Sequence, residues 1–279
     1  MTRPIVRASD RIHARPLLGR RIVLTRPLGQ TGDFEARVRA LGGEPVVAPA
    51  IEIAPLDSCT IADAALRRIG TYDWVVFTSA NAVRAVVERA DAIGVPREEL
   101  RSRRLAVVGP ATAGVAEAAL RLPDFAPTVN TSEVLAQELA DVENARVLLP
   151  RGDLASDALP DTLRARGAFV DEIVVYRTVP GPGVPDIVAG VRESVVDALL
   201  FASASAVRFV ADALCADAAI ARLRPRWPVA VCLGPVTADA ARESGFQSVV
   251  VADGTTQQEL IDRVVVWFAQ AGKETEAEG

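Results

Sequence analysis

Short, almost wholly apolar runs punctuate the chain at Arg21–Leu24, Trp74–Phe77, Leu105–Val108, Val147–Leu149, Ala198–Phe201 and Val229–Leu233. Each is too short for a helix and too continuous for a strand with one wet face, so each predicts a strand buried on both faces. Behind them come small or polar turns and then apolar residues at helical spacing, as in Asn81–Ala90 and Ala206–Leu214. Gly42-Gly43, Gly94, Gly167 and Gly245 stand where such helices would stop. Strand, turn and helix in alternation predict an α/β fold with parallel sheets covered on both faces.

The pattern is written twice. Asp73-Trp-Val-Val-Phe-Thr-Ser-Ala-Asn-Ala-Val-Arg84 returns as Asp197-Ala-Leu-Leu-Phe-Ala-Ser-Ala-Ser-Ala-Val-Arg208, an offset of 124 (197 − 73). Val108-Gly-Pro-Ala-Thr-Ala113 returns as Leu233-Gly-Pro-Val-Thr-Ala238, and Arg21-Ile-Val-Leu-Thr-Arg26 as Arg146-Val-Leu-Leu-Pro-Arg151, both at 125 (146 − 21). Thr131–Leu135 and Thr256–Leu260 make a weaker fourth pair. Four blocks in one order at one spacing describe two copies of a unit of roughly 125 residues, an ordinary domain size. Their division in space stays open. The copies could form a simple tandem, about 21–140 and 146–270. Alternatively, the extended runs Val46–Ile53 and Ile173–Val179 could pair as a two-stranded connection through which the chain leaves one lobe and returns.

Composition narrows the chemistry. Of 279 residues, 31 are basic and 36 acidic, and His13 and Lys273 are the only histidine and lysine. Both stand in polar terminal stretches, so no Ser-His-Asp triad, Cys-His pair, lysine Schiff base, histidine-bearing zinc site or Walker A lysine is expected. Cys59, Cys215 and Cys232 are odd in number and nowhere spaced as CxxC, which reads as small hydrophobes in a reducing cytoplasm. The Arg-rich first 21 residues lack the apolar core of a secretory signal, and a flexible basic leader is expected, with a transit peptide as the weaker alternative. No run is long and apolar enough for a membrane span, and a net charge of −5 speaks against a nucleic-acid partner.

Ligands of parallel α/β sheets bind beyond the carboxyl ends of the strands. The repeat places Ser79 and Asn81, Gly109 and Thr112, Ser203 and Ser205, and Gly234 and Thr237 in those turns. Such residues cap helices, and the remaining N–H groups with the positive helix ends attract anions, so each turn is either a plain cap or a cradle for a carboxylate or phosphate. Arg26 and its repeat partner Arg151 follow buried runs and could fork onto a carboxylate; the competing reading for Arg151 is a local pair with Asp153. Tyr176 breaks the repeat, standing where the first copy has Ile51. Its hydroxyl could give a proton or hydrogen bond to a leaving group, or its ring could plug a hinge. Gly181-Pro-Gly183-Val-Pro-Asp186 lacks the third glycine of a dinucleotide fingerprint and reads as a linker. No metal constellation is present.

Val76–Val83, Leu149-Pro-Arg-Gly-Asp153, the stretch Gly167 to Tyr176 ending Val-Tyr-Arg-Thr178, and Cys232–Ala238 together resemble uroporphyrinogen-III synthase, over about Arg21 to Phe268. The resemblance implies two similar flavodoxin- or Rossmann-like lobes, parallel sheets flanked by helices, joined by a two-stranded β ladder with a cleft between them. Residues 1–50 with 180–279 would form one lobe and 51–179 the other, with 1–16 and 271–279 unstructured. It also implies a cofactor-free, metal-free reaction. Hydroxymethylbilane, a linear tetrapyrrole with eight carboxylates, would lose its hydroxyl and close to uroporphyrinogen III with inversion of ring D, feeding heme, siroheme or cobalamin synthesis. The motif tyrosine falls on Tyr176, and the Ser/Thr positions fall on Ser79, Thr112, Ser203 and Thr237. Transient contacts with the preceding and following pathway enzymes are expected. The rival classes are a bilobed binding protein for a polycarboxylate and a nucleotide-dependent enzyme or methyltransferase on a similar sheet.

Overall fold

The computed structural model describes residues 15–26, 31, 33–252 and 256–277, with side chains through 270. They divide into two compact units, one running through Glu52 and resuming at Val179, the other Ile53–Thr178.

The first unit is a five-stranded parallel sheet. Its strands are β1 (Arg21–Leu24), β2 (Glu44–Val47), β8 (Ala198–Phe201), β9 (Val229–Leu233) and β10 (Val249–Ala252), in the order β10-β9-β8-β1-β2. Parallel neighbours need crossovers, and helices supply them: α1 (Phe34–Ala40), α8 (Val184–Arg192), α9 (Ala204–Ala216), the short α10 (Ala218–Ala221) and α11 (Pro235–Glu243), while α12 (Gln257–Ala277) follows the last strand. Alternate side chains sort to opposite faces. Val23, Leu199, Phe201, Ala230 and Cys232 pack with α8, α9 and α11, while Ile22, Leu24, Leu200, Val231 and Val250 pack with α1 and α12. Phe201, fully buried and edge-on to Phe246 at 5.8 Å, contributes about 1.5–3 kcal/mol by burial.

The second unit repeats this plan. Its strands are β3 (Ile51–Ala54), β4 (Trp74–Phe77), β5 (Arg104–Val107), β6 (Arg146–Gly152) and β7 (Phe169–Pro180), in the order β3-β7-β6-β4-β5. Helices α2 (Thr60–Arg67), α3 (Ala80–Ala92), α4 (Arg97–Arg101) and α5 (Pro110–Ala119) cover one face, and α6 (Ser132–Glu138) and α7 (Ala158–Ala165) the other. The repeat extends to register: β1 pairs with β2 at Arg21 and Glu44, and β6 pairs with β7 at Arg146 and Phe169, each position 125 on. The fifth strand of the first unit shrinks in the second to a single bridge, Ala106 with Phe125.

The expected run Val46–Ile53 is two strands, β2 and β3, interrupted at Ala48-Pro49-Ala50, whereas its counterpart β7 is continuous over 12 residues. Pro49 has no N–H for a ladder; Val174 stands at its repeat position. Strands β3 and β7, where the chain passes between units, are hydrogen-bonded neighbours. Gly181–Pro185 is more than a linker: Gly183 caps α8 and Pro185 lies in its first turn, where a missing N–H costs nothing. The tail, expected without structure, continues α12 through Ala277 because Ala, Glu and Lys favour helix. The leader, 1–14, lies outside the described residues.

Candidate functional site

Each sheet has the doubly wound order in which the strand sequence reverses between its first and third strands, and that reversal is where such sheets hold ligands. In the second unit the reversal lies between β6 and β4, with Arg151, Gly152 and Ser79 around it. In the first it lies between β1 and β8, with Arg26 and Ser203.

Tyr176 sits in the second unit beside Ser79. The β6–β7 register runs evenly to Arg151 opposite Val174, then slips so that Gly152 faces Tyr176 and Val175 is the extra residue. A regular strand would send Val175 and Tyr176 to opposite faces. The bulge puts both against the core that contains Ile173 and α3. The phenol oxygen thereby lies 3.1 Å from Ser79 Oγ. Ser79 caps α3, its Oγ accepting from Ala82 N–H at 3.1 Å, which leaves its own hydroxyl proton free to point at the phenol. Asp153 braces the same segment: its N–H donates to the Tyr176 carbonyl at 3.2 Å and its carboxylate accepts from Thr178 N–H at 2.9 Å.

Asn81 and Tyr176 border a cavity of about 590 Å³ between α3 and the chain at Ile53–Leu56. Arg84 faces it and donates to Asn81 Oδ1 at 3.3 Å. In the sequence, the i, i+3 spacing from Asn81 is the signal that marks Arg84. Arg151 departs from the expected local pair with Asp153. It is 7% exposed, and its guanidinium donates to Glu172, to the Ala155 carbonyl and to Asp157 at 3.2 Å. Its charge holds the loop after β6 against β7, and its partner is not Asp153. Sequence spacing missed Glu172 because it stands on the adjacent strand, paired opposite Leu149.

Gly109 opens α5 in extended backbone, and Thr112 is buried two residues past Pro110. In the first unit Gly234 opens α11 with φ 77°, and Thr237 is buried at the matching place. Neither helix has a side-chain cap, so donors at both ends remain available to an acceptor from outside. Ser203 caps α9 as Ser79 caps α3, but its second contact is Ser205 Oγ at 3.2 Å, since Ile51 replaces the tyrosine. Arg26 is half-buried and makes no hydrogen bond or ion pair with the described residues. No group of three or more His, Cys, Asp or Glu side chains among the described residues is arranged to hold a metal, and no described helix is long and apolar enough to cross a membrane.

The family model described as uroporphyrinogen-III synthase HemD matches residues 32–262. The chain belongs to the uroporphyrinogen-III synthase family. It is 29% identical over 259 residues to the uroporphyrinogen-III synthase of Synechococcus elongatus, covering 91% of this chain and 98% of that one. It is 30% identical over 258 residues to the porphyrin biosynthesis protein HemD of Ruminiclostridium josui, covering 90% of this chain but only about half, 49%, of that longer protein. The fold matches a mutant uroporphyrinogen III synthase from Thermus thermophilus at TM-score 0.61 and 22% identity, over 93% of this chain and 100% of the other. It matches uroporphyrinogen-III synthetase from Helicobacter pylori at TM-score 0.58 and 15% identity, over 89% and 99%. Membership in the synthase family makes this an enzyme of porphyrin biosynthesis, a cyclising lyase, and the comparisons give no support to a non-catalytic binding role.

Proposed function

We propose that this chain closes hydroxymethylbilane to uroporphyrinogen III, with Tyr176 acting on the departing hydroxyl. The observation that carries the assignment is the phenol oxygen held at the cap of α3 by Ser79. When the carbon–oxygen bond breaks, the leaving oxygen takes the phenol proton and departs as water. The phenolate left behind accepts from the Ser79 hydroxyl and lies at the positive end of a 13-residue helix. The substrate then supplies its own electrophile, an azafulvene, and its own nucleophile, ring D. The protein's remaining task is orientation: the substituted carbon of ring D must attack in preference to the free one.

Carboxylate-bearing side chains call for many weak donors rather than one strong site. The uncapped starts of α5 and α11, Thr112 and Thr237, Ser203 and Ser205, Asn81 and Arg26 are the donors we assign to them. Arg151 is set aside, since its guanidinium already serves Glu172, Asp157 and Ala155. Three free thiols fit a reducing cytoplasm.

The deciding experiment incubates the protein with freshly generated hydroxymethylbilane and separates the porphyrin isomers after oxidation. The type III isomer is expected, at a rate that chelators and dialysis leave unchanged. Type I alone, at the uncatalysed rate, would overturn the reading.

A further inference from the structure

Gly152 lies against the hydroxyl end of the Tyr176 ring. A methyl group on its Cα would stand 2.6 Å from Cε2, 2.7 Å from Cζ and 2.9 Å from the phenol oxygen, where carbon contacts settle at about 3.5–4 Å. The backbone does not demand glycine here, because Gly152 is not among the residues with positive φ. The ring alone excludes a side chain. The duplicated sequence supplies a second observation: 125 residues earlier, Pro27 stands for Gly152 and Ile51 for Tyr176. Both members of the pair differ together between copies, and glycine stands in the copy that carries the tyrosine.

We propose that Gly152 is a positioning residue for the reaction, leaving open the seat that fixes the Tyr176 hydroxyl. The proposal rests on the role given to Tyr176 above. The slipped register brings the phenol onto β6, the missing Cβ admits it, and Ser79 then meets it at 3.1 Å. To clear a methyl the ring must shift by about 1 Å. That displacement breaks the bond to Ser79 and carries the hydroxyl away from the helix end. Misplacement by about 1 Å can cost roughly 10²-fold in turnover.

Two measurements on full-length variants separate the seat from the chemistry. In steady-state assays, Gly152→Ala is expected to lower kcat by about as much as Tyr176→Phe, up to roughly 10²-fold, with KM within about twofold. The Gly152→Ala/Tyr176→Phe chain is expected to be no slower than Tyr176→Phe alone. In thermal unfolding, Gly152→Ala is expected to lower Tm in the wild-type background but not in the Tyr176→Leu background, where the ring is gone. An equal loss of Tm in both backgrounds would overturn the proposal, because the glycine would then serve its own strand. Wild-type kcat in Gly152→Ala beside a slow Tyr176→Phe would overturn it too. Wild-type kcat in Tyr176→Phe would overturn the catalytic reading of the tyrosine instead, and the background-dependent Tm would still support the seat.

Discussion

Replacing Arg151 by Met tests whether its charge serves the fold or the substrate. Methionine keeps the packed stem but removes every donor. The Ala155 carbonyl then loses its partner, worth about 1 kcal/mol. Glu172 loses one of two arginines. Breaking a fully buried pair costs about 3–5 kcal/mol, but Glu172 is 26% exposed and keeps Arg164 at 2.8 Å, so its share falls to about 1 kcal/mol. Asp157, 81% exposed, returns to water at negligible cost. The sum, about 2 kcal/mol, corresponds to a Tm lower by roughly 5–10 °C for a unit of this size. Calorimetry should show that loss, while KM for hydroxymethylbilane, assayed well below the transition, stays within about twofold of wild type. A Tm within about 1 °C of wild type with KM raised tenfold would refute the reasoning and return Arg151 to the substrate.

The two Gly-Pro turns should respond differently: Gly234→Ala forces a Cβ into a glycine-only conformation, φ 77° and ψ 168°, and should cost about 1–3 kcal/mol in urea unfolding, whereas Gly109→Ala, in extended backbone, should cost far less. Asp63 is gripped by both arms of Arg89 at 2.5 and 2.6 Å, and that hydrogen bonding holds its carboxyl below the usual range. Its stabilisation is therefore present above about pH 4 and lost as pH falls through the lowered value. Asp63→Asn should unfold at lower urea than wild type at pH 7, and the two midpoints should converge toward pH 2–3; a gap that persists there would point to packing instead. A thiol reagent at pH 8 should label half-buried Cys59 and Cys215 in the native protein, but Cys232, whose pKa burial pushes up to about 12, only after denaturation. Equal rates for all three would contradict the buried setting of Cys232.

The duplicated blocks were legible because both kinds of local signal agreed: continuous apolar runs for strands covered on two faces, and helical spacing after each. Residues 125 apart then had to take the same register, as Arg21 with Glu44 and Arg146 with Phe169 do. The candidate turns were legible for the same reason, since Ser79 and Ser203 cap their helices through bonds only three residues long. The partner of Arg151 was not legible because Glu172 comes from a neighbouring strand, and pairing across a sheet has no fixed sequence spacing.

Tyr176 marks the division most clearly. The sequence by itself determined that a tyrosine stands where the other copy has isoleucine, and that the single histidine and single lysine, both in polar terminal stretches, are not expected to carry the chemistry. Only the tertiary structure decided which way that tyrosine turns. One extra residue in β7 reverses the alternation of its side chains, and one missing Cβ in β6 gives the ring somewhere to lie. Strand alternation is a local rule, but a bulge is settled by the strand next door.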